Sequence, residues 1–260
     1  MLTAIIALPL LILFILKASP ALFTVLILLV IFLGLTELYR MALPERRAEG
    51  WAAACCGSLL PLALLSTEKL MFPFLLMAFF LLFALLFLFK IGEIKGAAGE
   101  VALIYLGFVY VPLPLAHMIL LRSLPSGIQW IFLMMVIVMA GDSAAYYVGS
   151  AFGKRKLYPA VSPKKSVEGA IGGLAGSIAG AFLFRMIFFP ALTPVDCVVT
   201  AILLGVLGQL GDLFESLLKR SFGVKDSGNI IPGHGGILDR LDSLLFAAPA
   251  TFYYAYFLFK

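Results

Sequence analysis

Nine apolar runs, at about residues 1–16, 21–39, 51–65, 70–89, 101–121, 129–150, 168–190, 195–214 and 241–259, constrain this chain more than any other feature. A helix needs about 20 mostly apolar residues to cross a bilayer, and in lipid every backbone polar group must be satisfied within the spanning structure. The runs therefore predict an all-α, polytopic integral membrane protein of about nine transmembrane helices. The first and third runs are the shortest, so eight is the neighbouring count. Composition points the same way: 63% hydrophobic residues, 13% charged residues and a mean hydropathy of +1.10 leave no room for a large water-soluble domain.

The short loops carry the charge, and they fix an orientation. With nine spans, fourteen of the 19 lysines and arginines fall on one side. These are Arg40, Arg46, Arg47, Lys90, Lys95, Lys154, Arg155, Lys156, Lys164, Lys165, Lys219, Arg220, Lys225 and Arg240. The other five are Lys17, Lys69, Arg122, Arg185 and Lys260. The positive-inside rule makes the first side cytoplasmic. A net charge of +5 spread over such loops reads as a topology signal and not as a nucleic-acid surface, so no nucleic-acid partner is expected. Cys55, Cys56 and Cys197 lie in apolar stretches without CxxC spacing and predict neither disulfides nor zinc. Pro61, Pro112 and Pro114 fall within runs, where they predict kinks.

The two longest polar segments, 151–167 and 215–240, emerge on the cytoplasmic side, and chemistry is expected there. Gln209, Asp212, Ser216 and Lys219 recur at helical spacing, with Glu215 beside the stripe, so one helix face carries acid, hydroxyl and ammonium together. Ionisable groups at membrane depth are costly and face a polar cavity or a partner. An ion pair of Asp212 with Lys219 is the plain structural alternative. Asp239 and Asp242 stand three apart at the start of the last run, on one face. Two such oxygen donors suit Mg²⁺, whose remaining positions go to water and phosphate; helix capping is the alternative. Pro232-Gly233-His234-Gly235-Gly236 is a turn in which glycines let backbone N–H groups approach a phosphate. His234 either donates to that phosphate or fixes the turn.

In the earlier loop, Lys164 and Lys165 with the hydroxyls of Ser162 and Ser166 precede a helix start, which favours anions. Gly169, Gly172, Gly173, Gly176 and Gly180 come next, at a spacing suited to close helix packing. Asp142 lies inside the sixth run and is a further candidate: metal ligand, nucleotide contact or lysine partner. The candidate residues cluster in the second half. Residues 1–130 therefore read as N-terminal membrane helices and 131–260 as a C-terminal catalytic region, within a single membrane-embedded unit.

These motifs resemble the phosphatidate cytidylyltransferases. Ser216 to Arg220, Lys225-Asp226-Ser227-Gly228 and Pro232-Gly233-His234-Gly235-Gly236-Ile237-Leu238-Asp239-Arg240-Leu241-Asp242 are similar to that family's C-terminal signature with every spacing kept. Ser162-Pro163-Lys164-Lys165 with Glu168-Gly169 and Gly172-Gly173 is similar to its second motif. The resemblance covers roughly residues 142–242. It implies condensation of CTP with phosphatidic acid to CDP-diacylglycerol and pyrophosphate, dependent on Mg²⁺ with room for a second cation, in phospholipid biosynthesis at the inner (plasma) membrane. By that analogy Asp212, Lys219, Asp226 and Asp239 are catalytic, and Asp212, Asp239 and Asp242 gather the cations. Ser162, Lys164, Lys165, Glu168, Ser216, Arg220, Lys225, His234 and Arg240 bind substrate. Membrane lipids are partners, and a homodimer is a further expectation. The rivals are a CTP-dependent polyprenol or phytol kinase, separated by its CDP product, and an ion-coupled transporter, which would show polar residues at matched depth in two repeated halves.

Overall fold

The structure is a computed structural model that describes residues 2–90, 94, 96–230 and 235–259, with side chains described from residue 9 onward. Each of the nine apolar runs is helical. In chain order the helices are α1 (Leu2–Lys17), α2 (Pro20–Ala42), α3 (Arg47–Leu65), α4 (Met71–Phe89), α5 (Ala97–Tyr110), α6 (Pro112–Ser123) and α7 (Gly127–Phe152). A hairpin of β1 (Lys156–Tyr158) and β2 (Ser162–Ser166) comes next, then α8 (Val167–Phe188), α9 (Pro194–Ser221) and α10 (Leu238–Tyr253), which runs on into a π-helical turn at Tyr254–Leu258. Among the described residues seven segments are long and apolar enough to cross a membrane unaided, α5 and α6 counting as one. The chain is an all-α multi-pass membrane protein. The 16-residue α1 and α10 fall short of that length by themselves.

The fifth run divides at Val111. Pro112 has no N–H to continue the ladder, and the restarted helix takes it as its first residue. Pro61, by contrast, stays inside an unbroken α3. The hairpin is antiparallel, with Lys156 opposite Ser166 and Tyr158 opposite Ser162.

The chain forms two compact units. One comprises Met1–Ile27, His117–Leu217 and Asp242–Lys260, and the other Leu28–Ala116 and Leu218–Leu241. In the first, α7 and α8 pack along a seam of small residues. A Cβ at Gly176 would collide with Ala144, and one at Gly180 would stand 2.9 Å from Ala140. This is how helices gain contact in lipid, where burial of apolar surface supplies no drive between them. Trp130, 1% exposed, meets Phe189, Tyr254 and Phe259 edge to face or tilted.

In the second unit, Tyr39 of α2 donates its hydroxyl to the Ile104 carbonyl of α5 at 2.8 Å, and only a glycine at 107 leaves space for its ring. Phe79, Phe83 and Phe108 complete that core. The outward residues of α4, among them Phe74, Met77, Phe80, Leu81 and Leu85, are exposed and apolar, as a lipid-facing helix requires.

Candidate active site

In the second unit, α9 ends by a specific device. Gly223, at φ 72°, stands just past the last turn, with its N–H on the Arg220 carbonyl at 3.1 Å and the Val224 N–H on the Lys219 carbonyl at 2.9 Å. These are the paired bonds of a Schellman cap, which needs glycine in the left-handed region. Arg220 adds a contact at 3.4 Å to the Val224 carbonyl. The chain is thereby turned back, leaving Lys225 and Asp226 exposed and Ser227 buried.

Two carboxylates organise the connection from α9 to α10. Asp239, in the first turn of α10, receives Lys219 Nζ on Oδ1 at 2.6 Å. Its Oδ2 receives the Ser227 N–H at 3.0 Å, the Ser227 hydroxyl at 3.0 Å and the Gly236 N–H at 2.8 Å. Glu37, 1% exposed on α2, takes the Ile237 N–H at 3.0 Å, the Leu238 N–H at 2.9 Å and a share of the Ser227 hydroxyl at 3.1 Å. The Gly236 N–H, in the turn expected from sequence to cradle a phosphate, thus binds Asp239, and the Ile237 and Leu238 N–H groups that follow bind Glu37. Only glycine fits at 236, where a Cβ would strike Ser227 and Glu37, and Gly235 sits at φ 83°. His234 lies outside the described residues.

Lys219 and Asp239 form a largely buried ion pair, their side chains 12% and 7% exposed. Lys219 is therefore paired with Asp239. Burial pushes the Asp239 carboxyl up, but Lys219 and the N–H groups of Gly236 and Ser227 outweigh it and hold the group below the usual carboxylate range. Three donors saturate Oδ2, and Lys219 leaves one acceptor position on Oδ1 for another ligand. Arg240 is exposed.

The first unit holds a second charged cluster. Lys165 Nζ reaches Asp212 at 2.5 Å, and Ser216 stands 3.5 Å from the same carboxylate. Asp142 of α7 lies within electrostatic range of both Asp212 and Lys165. Gln209, one turn before Asp212, holds the Ala170 carbonyl of α8 at 3.1 Å. A Cβ at Gly211 would collide with the Asp242 carbonyl, so glycine lets the backbones of α9 and α10 meet beside Asp212. Asp242 turns Oδ1 to the Ser243 N–H at 2.7 Å.

The hairpin positions Lys165 through α8. Ser166 ends β2 and caps α8 by accepting from the Gly169 N–H at 3.1 Å, while Glu168 accepts from the Lys154 and Arg155 N–H groups at 3.0 and 3.2 Å. Glu168 thus anchors the loop. Ser162 and Lys164 lie on β2, with Lys164 exposed.

Among the described residues no three His, Cys, Asp or Glu side chains converge on a metal position. Mg²⁺ needs only one or two carboxylates and draws its other ligands from water and phosphate. Asp142 and Asp212 are hard oxygen donors of the type that requirement names, and Lys165 balances Asp212.

Sequence reasoning misses Glu37 and Ser227. A lone acid in a span of hydropathy 2.6 is the available signal for Glu37, since such a group demands a partner. Those partners lie 190 to 201 residues away, beyond any local pattern.

Fold and charged clusters define a helical membrane protein whose acids and lysines gather at helix ends. The sequence profile of the cytidylyltransferase family matches residues 1–258, and the chain belongs to that family. A phosphatidate cytidylyltransferase of Bacillus subtilis (strain 168) is 44% identical over 155 residues, covering 59% of this chain and 58% of that protein. The enzyme of that name from Haemophilus influenzae is 47% identical over 135 residues, covering 50% and 47%. An uncharacterized protein of Escherichia coli (strain K12), YnbB, is 36% identical over 172 residues, covering 63% and 56%. The matched stretches thus span about half the length of these relatives.

Proposed function

We propose that this chain is a phosphatidate cytidylyltransferase, converting CTP and phosphatidic acid to CDP-diacylglycerol and pyrophosphate at the cytoplasmic side of the inner membrane. The observation that carries the reading is the organisation of the segment from Lys219 to Asp239. Lys219, Ser227, Gly235, Gly236 and Asp239 are those of the motif, and each has a defined structural task. Family membership and two relatives of that name support it.

In the reaction a phosphate oxygen of phosphatidate forms a bond to the α-phosphorus of CTP, and the bond from that phosphorus to the bridging oxygen of pyrophosphate breaks. The nucleophile is already ionised at neutral pH, so positioning and charge neutralisation carry the catalysis in place of a strong base. Arg220, Lys225 and Arg240 of the second unit are exposed cations available to phosphate oxygens, and Lys164 is an exposed cation of the first unit. Lys165 holds Asp212 and would be free to reach phosphate where that acid held a cation. Asp226 is exposed beside Lys225 and free to turn toward bound nucleotide. Lys219 keeps Asp239 ionised and so keeps the turn closed. Mg²⁺ would be held by Asp212 with Asp142 or Asp242 and would neutralise phosphate charge, while Asp239 keeps its remaining Oδ1 position for a second cation.

The test uses the purified full chain in detergent micelles. Pyrophosphate release that requires CTP, phosphatidic acid and Mg²⁺ together is the expected result. Release without lipid, or none under any condition, contradicts the reading.

A further inference from the structure

A cavity of about 360 Å³ opens in the second unit where α2 ends and α3 begins, with Thr36, Tyr39, Arg40, Leu43, Arg47 and Trp51 among its walls. The neighbouring cations are already matched: Arg46 binds Glu100 at 2.9 Å, and Lys90 reaches Glu49 at 3.5 Å. Arg40 and Arg47 are not. Among the described residues neither has a carboxylate within ion-pair distance, although both residues are exposed and line the cavity. Arg40 stands 5.5 Å from the centre of the Trp51 ring. The first turn of α3 adds N–H groups that no side chain caps.

Two unmatched guanidinium groups favour a doubly charged oxyanion, which each can grip with paired N–H donors. The remaining wall of tyrosine, leucine and tryptophan suits the glycerol and upper acyl region of a lipid. Trp51, 45% exposed, is the kind of residue that sits at headgroup level.

We propose that this cavity binds the phosphomonoester headgroup of an anionic glycerophospholipid, with Arg40 and Arg47 on the phosphate and Trp51 against the glycerol. The inference deepens the proposed activity and rests on it only for the identity of the lipid. Glu37 lies one turn before Arg40 on α2 and holds the Ile237 and Leu238 N–H groups. The helix that receives the lipid phosphate is thus the helix that secures the glycine-rich turn.

The chain has two tryptophans. Trp130 is 1% exposed, so Trp51 is the one that reports on lipid. The full chain in nanodiscs is titrated with phosphatidate, phosphatidylglycerol or phosphatidylcholine, each carrying bromine near the top of its acyl chains, and tryptophan quenching is recorded. Phosphatidate is expected to quench at a mole fraction about tenfold below the other two, as a second charge engaged by arginine would produce. Arg40→Gln with Arg47→Gln should remove that preference, and Arg40→Lys with Arg47→Lys should keep part of it. Both positions are exposed, so the variants should fold.

Inorganic phosphate at millimolar concentration should leave the quenching unchanged if a lipid is the ligand. Equal quenching by all three lipids, or relief of the preference by inorganic phosphate, overturns the proposal. The two readings fail separately. Selective quenching without pyrophosphate release keeps the site and removes the activity. Pyrophosphate release whose KM for phosphatidate is unmoved in the double Gln variant, with no selective quenching, removes the site and keeps the activity.

Discussion

Glu37 holds two backbone N–H groups and shares a serine hydroxyl in a buried setting, so its removal leaves several donors without partners at once. Each buried unsatisfied donor costs about 1–3 kcal/mol. Glu37→Ala should therefore lower the Tm in detergent by several degrees and abolish most activity, while Glu37→Gln, which keeps one acceptor oxygen, should fall between. A Glu37→Ala protein with wild-type Tm would dismiss the capping role. Lys219→Ala leaves the largely buried Asp239 without its cation, held only by the Ser227 and Gly236 donors, a loss of up to about 3–5 kcal/mol. It should lower stability as well as turnover, and Lys219→Ala with Asp239→Asn should recover stability without activity.

The depressed folded pKa of Asp239 sets the sign of its effect on stability. The carboxylate stabilises the fold above its ordinary value of 3.8. That contribution fades as pH falls through the lower folded value. Tm profiles of wild type and Asp239→Asn should be apart at pH 7 and draw together below about pH 4. Parallel profiles would mean that the carboxylate is not held by charge.

At the scale of elements, the nine apolar runs become helices because spanning chains have little alternative in lipid. Helix starts are less legible. The hairpin before α8 is short, polar and fixed by Glu168 and Ser166 reaching neighbouring backbone, and neither its three-residue β1 nor its five-residue β2 has a hydrophobic alternation to reveal it. The glycine stripe of α8 predicts close packing, and Gly176 and Gly180 against α7 bear that out. Gly176→Leu should force α7 and α8 apart and destabilise by about 1–3 kcal/mol, measured as loss of monodisperse protein on heating in detergent. Sequence puts the acids of α9 and α10 in the right helices but does not settle their partners. The plain alternative of Lys219 with Asp212 rests on helical spacing alone, whereas the fold gives Lys219 to Asp239, twenty residues on. Local periodicity registers neighbours on one helix and is silent on the helix that returns.

At the scale of the whole molecule, charge distribution over the loops predicts the orientation. Cysteines replacing the exposed Glu45 and Lys164 should react with a membrane-impermeant reagent only after cells are opened, and one replacing Lys69 should react in intact cells. The reverse pattern would put the charged clusters on the wrong side for cytoplasmic CTP. The central claim is that the chain transfers the cytidylyl group and not the terminal phosphate. It is tested by giving the purified protein phosphatidic acid and Mg²⁺ with CTP labelled with ³²P at either the α or the γ position. The account predicts label in the extracted lipid only from α-labelled CTP, with γ label leaving as pyrophosphate. Lipid labelled from the γ position, with CDP released, would contradict it.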